Sequence, residues 1–464
     1  MIVIDNNLTA KDLLPSIQRV IDLSGVKIRS IQKNWNPSKG TPVFTADGVY
    51  TSRGWTEWTQ GFQFGSAILQ FDMTGDETFL ETGRKKTIQS MAPHVSHTDI
   101  HDHGFNNVST YGNLLRLIIE GKIPGDPWER RFYELALKAS GAVQAARWTT
   151  IAPGAGYIYS FNGPHSLFSD TIRSLRALAL AHQLGHVLMG EKDSAISLLG
   201  RLVQHAMATS QFNVYFGKGR DSYDVRGRVV HESIFNVTDG SYRCPSTQQG
   251  YSPFSTWTRG LAWVICGFAE ELEFLAGCPE ADLEEWGGKS AILDLFLETA
   301  RATADFYIEN TPTDGIPYWD TGAPGLVRLG NYLERAADPF NDVEPVDSSA
   351  AAIAAQGFLR LGKYLGAKGD AGGGKCYSQT GLSIARTLFS EPYLSTKQNH
   401  QGLLLHSVYH RPNGWDFVPA GKNAPSGESS MWGDYHMREL ALMIRRSALA
   451  EPDYVFFLPW EKRA

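Results

Sequence analysis

From about residue 60 to the end of the chain, apolar residues recur three and four positions apart, with polar residues between them. Ile172, Leu175, Leu178 and Ala179 fall on one helical face at this spacing; Leu261, Val264, Ile265, Phe268 and Leu272 fall on another. The same period predicts helices near 77–92, 109–120, 128–145, 192–209, 290–309, 348–365, 376–389 and 431–447. Many are alanine-rich, as in Ser348 to Ala355, which suits close approach of helix axes. Strand-like runs are short and few; Arg228 to Phe235 is an example.

Long loops rich in Gly, Pro, Asp and aromatic residues separate these helices at 147–169, 211–258, 311–346 and 409–430. Loops of that length are uncommon in a compact domain unless they carry function. No Pro/Ser linker divides the chain, so residues 1–464 are expected to form one domain, with 1–50 as an N-terminal extension packed on it. About a dozen helices, with loops gathered between alternate pairs, predict an all-α fold of the α/α-barrel kind. A helical-repeat solenoid is the alternative, but no fixed repeat period is found.

Composition narrows the picture. A hydrophobic content of 42% in 464 residues supplies a large core, and a net charge of -6 argues against nucleic acid as the main partner. The four cysteines, Cys244, Cys266, Cys278 and Cys376, show no C-x-x-C spacing and read as free thiols of a reducing compartment. The start of the chain lacks a basic segment followed by an apolar one, and no stretch of about 18 apolar residues is present. The expectation is a cytoplasmic protein with no membrane partner. G-x-S-x-G, Walker and Rossmann motifs are lacking, and no cofactor is expected.

The candidate chemistry is acidic and aromatic. Asp102 lies in His101-Asp-His-Gly-Phe105, Asp170 heads an apolar helix, and Gln249 to Trp263 combines Gln, Trp and Arg. Two carboxylates with flat aromatic faces suit proton transfer on a sugar ring. Asp170 also stands where a helix cap is common, and acid catalysis would need it partly buried with a raised pKa. His94, His97, His101 and His103, with Asp99 and Asp102, invite a metal reading. The helix is expected to end near Gly104 and scatter the later ligands, so no metal is expected and His94 and His97 read as a solvated face. Arg259 is open to two roles, a substrate contact or a loop anchor through a buried carboxylate.

Six motifs in order, from Trp58 to Leu442, resemble the unsaturated glucuronyl hydrolases, glycoside hydrolase family eighty-eight. They are Trp58-Thr-Gln-Gly-Phe, His101-Asp-His-Gly-Phe, Gln249-Gly-Tyr leading into Trp257-Thr-Arg-Gly-Leu-Ala-Trp263, Asp314-Gly-Ile-Pro-Tyr-Trp-Asp320, Asp347-Ser-Ser-Ala-Ala-Ala and Trp432-Gly-Asp-Tyr. The resemblance implies an (α/α)6 six-hairpin barrel acting on an oligosaccharide that ends in a 4,5-unsaturated uronic acid. Asp170 falls at the family's catalytic aspartate, and Asp102 at the carboxylate that holds ring hydroxyls. Trp58, His101, Phe161, His231, Gln249, Trp257, Arg259 and Trp263 map to substrate-binding positions. Phe161 stands where the family commonly has Trp.

The segment 211–230 is longer than the family pattern, and its cations Lys218, Arg220, Arg226 and Arg228 are candidates for reading an anionic neighbouring sugar. Two other functions are weighed: a catalytically silent sugar-binding barrel, and another α/α-barrel sugar enzyme such as an epimerase. The paired aspartates and the Trp-x-Arg-Gly segment speak against the epimerase. Oligomeric state is not readable from the chain.

Overall fold

The protein is described by a computed structural model covering residues 1–53 and 57–457. In chain order its helices are α1 (Leu14–Asn34), α2 (Gln60–Thr74), α3 (Glu77–Ser90), α4 (Ala92–Val95), α5 (His103–Asn107), α6 (Asn113–Ile119), α7 (Pro127–Ala146) and α8 (Thr171–Ser174). They continue with α9 (Arg176–Gln183), α10 (Leu198–Asn213), α11 (Thr258–Ala276), α12 (Lys289–Glu309), α13 (Ser348–Ala367), α14 (Ala371–Leu388) and α15 (Met431–Ala448). A π turn at Val108–Gly112 joins α5 to α6.

Alternation of inner and outer helices organises the chain. α2 meets the π turn, α5 meets α8, and α8 meets α11; α11 meets α13, α13 meets α15, and α15 returns to α2. These contacts close a ring. α1, α3, α7, α10, α12 and α14 pack outside it, each against an inner helix. The division follows the side chains: α11 and α13 are buried on nearly every face, whereas α1 buries only a stripe containing Ile17, Val20, Ile21, Ile28 and Ile31. Among the described residues no helix is long and apolar enough to cross a membrane.

The predicted helices overlap observed ones, and the differences lie at their ends and between them. A small hairpin, Leu188–Met189 against Ala195–Ile196, occupies the start of the segment assigned to 192–209, so α10 begins only at Leu198. α1, α2 and the short α5 lie outside the predicted ranges, and α14 begins at Ala371, ahead of the predicted 376.

Strands serve the site. Ser166–Phe168, Glu232–Phe235 and Tyr242–Ser246 form a three-stranded antiparallel sheet. Beyond its end the Ser169 N–H donates to the His231 carbonyl at 2.9 Å. This bond sets Asp170 and His231 side by side although they lie far apart in sequence.

Candidate active site

Two backbone close approaches build the acidic centre. Asp102 precedes α5 and Asp170 precedes α8, and Gly104 lets those helices meet: a Cβ there would lie 2.3 Å from the Ser174 carbonyl oxygen. The Gly104 N–H donates to Ser174 Oγ at 2.8 Å. Gly61 of α2 allows a second such approach, where a Cβ would lie 2.2 Å from the Asn106 carbonyl oxygen. The Gly-Phe pairs of both motifs therefore have a packing cause.

Asp170 occupies the cap position of α8 but makes no capping hydrogen bond, so the capping reading is set aside. His101 Nε2 lies 3.4 Å from Asp170 Oδ2 and 3.7 Å from Asp102 Oδ1. His231 Nε2 lies 4.0 Å from Asp170 Oδ1. Phe161 stacks on the His101 ring at 6.0 Å and Phe168 meets it edge-on at 5.6 Å, which fixes the imidazole plane. All four polar groups are buried.

The protonation order differs from the expectation. Burial lifts Asp170, but the hydrogen bond from His101 and the charge of that ring outweigh it and hold its carboxyl below the ordinary value. Burial raises Asp102 and outweighs the attraction of His101. Burial opposes charge on His101, yet Asp102 and Asp170 prevail and raise it. The raised carboxyl in the ligand-free site is thus Asp102, because His101 leans closer to Asp170. Groups this close titrate as a unit.

His231 is fixed in one tautomer. Its Nδ1 accepts the backbone N–H groups of Gln248 at 3.0 Å and Gln249 at 3.3 Å, so its proton sits on Nε2, facing Asp170. Burial lowers its pKa, in keeping with a neutral ring.

A cavity of about 570 Å³ opens over this centre. Trp58, His101, Asp102, Phe161, Asp170, Gln249, Trp257, Arg259 and Trp263 all line it, so nine of the ten residues singled out from the sequence converge there. His231 stands behind, against Trp257 at 4.8 Å. Trp58 stacks on Trp432 at 4.9 Å, and Trp263 packs on Phe105 at 4.8 Å. Tyr409, His410 and Trp415 form a further wall that sequence reasoning did not pick. Their signal was only the aromatic, glycine-bearing loop that contains them.

Two expectations are corrected. His94 does not face solvent: its Nε2 meets Gln60 Oε1 at 2.8 Å, its Nδ1 meets Asn106 Nδ2 at 3.2 Å, and burial lowers its pKa to about 4. His103 turns to Ser140 Oγ and the His97 carbonyl. Among the described residues, His101, Asp102 and Asp170 form the group whose donor atoms, all within 4.8 Å of one another, have the spacing to hold a metal ion. Second, the cations of 211–230 do not line the cavity. Lys218 pairs with Glu298 at 3.4 Å, Arg226 with Asp305 at 2.8 Å, and Arg220 donates to the Gln211 and Phe212 carbonyls. Buried Arg228 donates to the Tyr223 and Pro253 carbonyls.

Beneath the cavity an ionic cluster ties the inner helices together. Arg173 Nε lies 2.7 Å from Glu270 Oε2 and its Nη2 lies 3.3 Å from Glu439 Oε2; Arg360 reaches Glu270 at 3.7 Å. Arg173 sits one turn beyond Asp170, so the cluster secures the helix that carries the acid.

Paired acids under an aromatic-walled cavity, in a ring of helices, form the arrangement of a carbohydrate-active enzyme. Comparison with known proteins narrows the class. The chain is 26% identical over 391 residues to the unsaturated glucuronyl hydrolase of Formosa agariphila, covering 82% of this chain and 78% of that one. It is 25% identical to the unsaturated chondroitin disaccharide hydrolase of Streptococcus pyogenes, covering 94% and 93%. The crystal structure of the Bacillus sp. GL1 unsaturated glucuronyl hydrolase superposes with a TM-score of 0.69 at 23% identity, over 93% of this chain and 97% of that one. No protein-family model matches the chain. By sequence and by fold the chain is similar to the unsaturated glucuronyl hydrolases, the family its motifs resemble.

Proposed function

We propose that this protein is a glycoside hydrolase acting on a 4,5-unsaturated uronic acid at the non-reducing end of lyase-generated oligosaccharides. One observation carries the reading: His101, Asp102 and Asp170 share one buried centre on the cavity that the aromatic residues wall. An inverting pair keeps its carboxyl groups about 6.5–9.5 Å apart to seat a water between them. The donor atoms here lie within 4.8 Å, which favours proton delivery from one side.

In this reading Asp170 protonates C4 of the vinyl ether. As a carboxylate it then takes a proton from the water that adds at C5. The hemiketal opens and releases the neighbouring sugar. One carboxyl serves as acid and then base, and the proton count balances over the cycle. Asp102 binds ring hydroxyls, and with His101 it holds the proton that Asp170, lowered in the ligand-free site, must receive. Trp58, Phe161, Gln249, Trp257, Arg259 and Trp263 frame the sugar, and His231, predicted as a sugar contact, acts from behind them on Asp170. No cofactor takes part.

The fold in this reading is an (α/α)6 six-hairpin barrel, supported by the closed order of inner helices. Residues 1–464 form one catalytic domain, with 1–50 packed against the ring, where α1 already lies beside α2 and α15. Four cysteines without C-x-x-C spacing favour a cytoplasmic compartment. The test is loss of enol-ether absorbance from a lyase-made unsaturated disaccharide; no loss would contradict the hydrolase.

A further inference from the structure

Arg259 lines the cavity, yet four of its five N–H donors are held by the protein. Nη1 donates to Asp347 Oδ2 at 2.9 Å and to the Val408 carbonyl at 2.5 Å. Nη2 donates to Gln249 Oε1 at 3.0 Å and to the Tyr409 carbonyl at 2.8 Å. Each Nη carries two hydrogens, so these four bonds commit all four. The guanidinium lies between the rings of Trp257 and Trp432, at 4.6 Å and 4.9 Å from their centroids, and the residue is 1% exposed.

We propose that Arg259 is a positioning residue: it clamps Gln249 and the Val408–Tyr409 backbone so that the Gln249 amide hydrogens, rather than the paired Nη fork of Arg259, receive the sugar's carboxylate. The proposal rests on the reading of the cavity as a uronate site. Three features carry it.

Arginine has no acceptor, so only Oε1 of Gln249 can face it. The Nε2 donors are thereby turned away from the guanidinium, in a residue that itself lines the cavity. The Gln249 backbone is held as well, through its N–H on His231. Side chain and main chain of this one residue are thus both fixed before a ligand arrives.

The second feature is the segment that follows Val408. Asp416 accepts the N–H groups of Tyr409 at 2.5 Å and His410 at 3.2 Å, while Arg259 holds the carbonyls of Val408 and Tyr409. The strip is gripped from both sides. It carries the wall of Tyr409, His410 and Trp415.

The third is charge. Among the described residues Arg259 is the sole Lys or Arg lining the cavity, and Asp347 neutralises it. His101 is turned to Asp102 and Asp170, which leaves the amide of Gln249 as the donor that the Arg259 clamp aims.

The test uses Arg259→Lys and Gln249→Glu, each first shown to be folded by its melting curve, with an unsaturated disaccharide and its methyl ester as substrates. In Arg259→Lys, amide hydrogen exchange at 248–250 and 405–411 should accelerate at least tenfold without substrate. KM should rise more than kcat falls, by the same factor for acid and ester. Gln249→Glu keeps the acceptor toward Arg259 but removes the amide donors, so its KM penalty should be at least fivefold larger for the acid than for the ester. Unchanged exchange in Arg259→Lys, or a penalty that vanishes on the ester, would overturn the clamp and make Arg259 the carboxylate ligand. An equal penalty of Gln249→Glu on both substrates would remove Gln249 from that role. If the wild type turns over neither substrate the hydrolase reading fails, and the exchange measurement still decides the clamp.

Discussion

His231 Nδ1 accepts two backbone N–H groups, and its Nε2 consequently presents a hydrogen to Asp170 Oδ1 across 4.0 Å. The ring cannot become an imidazolium without giving up those bonds. Asp170 thus sits between a neutral imidazole on one oxygen and His101, the more basic ring, on the other.

Because His101 lowers Asp170, replacing it should have a signed effect on the pH profile. In His101→Gln the hydrogen bond and the charge that depress Asp170 are gone, so its folded pKa rises. An acid that must be protonated then survives to higher pH. The alkaline limb of kcat/KM is expected to move upward in pH relative to the wild type, and a downward move would contradict the electrostatic order of the triad.

Arg226 and Lys218 should be dispensable for specificity. Both form surface pairs with α12, worth about 0–1 kcal/mol each. Lys218→Ala with Arg226→Ala is expected to change kcat/KM by less than about twofold on sulfated and unsulfated substrates alike. A loss confined to the sulfated substrate would return the loop to the site.

Much of the ring was legible in the sequence because inner helices such as α11 and α13 are long, apolar or alanine-rich runs without Pro. The carboxylates and tryptophans were legible because their motifs are local, and Gly104 marks the crossing of α5 and α8. Tyr409, His410 and Trp415 were not: they reach the cavity through bonds between Arg259 and backbone 149 and 150 residues away. His94 misled for a related reason. Its partners Gln60 and Asn106 belong to other helices, so its polar neighbours in sequence told of solvent that the fold excludes. The loop cations lie off the cavity because Glu298 and Asp305 of α12 hold Lys218 and Arg226, while backbone carbonyls hold Arg220 and Arg228.

The ionic cluster under the site predicts an acid limit to stability. Burial would raise Glu439, but Arg173, His436 and Arg176 outweigh it and bring it down to about 2. A depressed carboxyl stabilises above its unfolded value and loses that contribution as pH falls from about 4.5 toward 2. Glu439→Gln leaves Arg173 and Arg176 short of a partner and is expected to cost about 3–5 kcal/mol near neutrality. The melting-temperature gap to the wild type should narrow as pH falls toward 2; a constant gap would show that the pair does not titrate.

The most direct measurement follows enol-ether absorbance of a lyase-made unsaturated disaccharide with the wild type and with Asp170→Asn, alongside tryptophan-fluorescence titration of the same sugar. Loss of a general acid and base lowers turnover by about 10²–10⁴-fold or more. The wild type is expected to bleach the absorbance, and Asp170→Asn to bind the sugar with turnover down by at least a hundredfold. A variant that keeps more than half of wild-type turnover would contradict the central role given to Asp170.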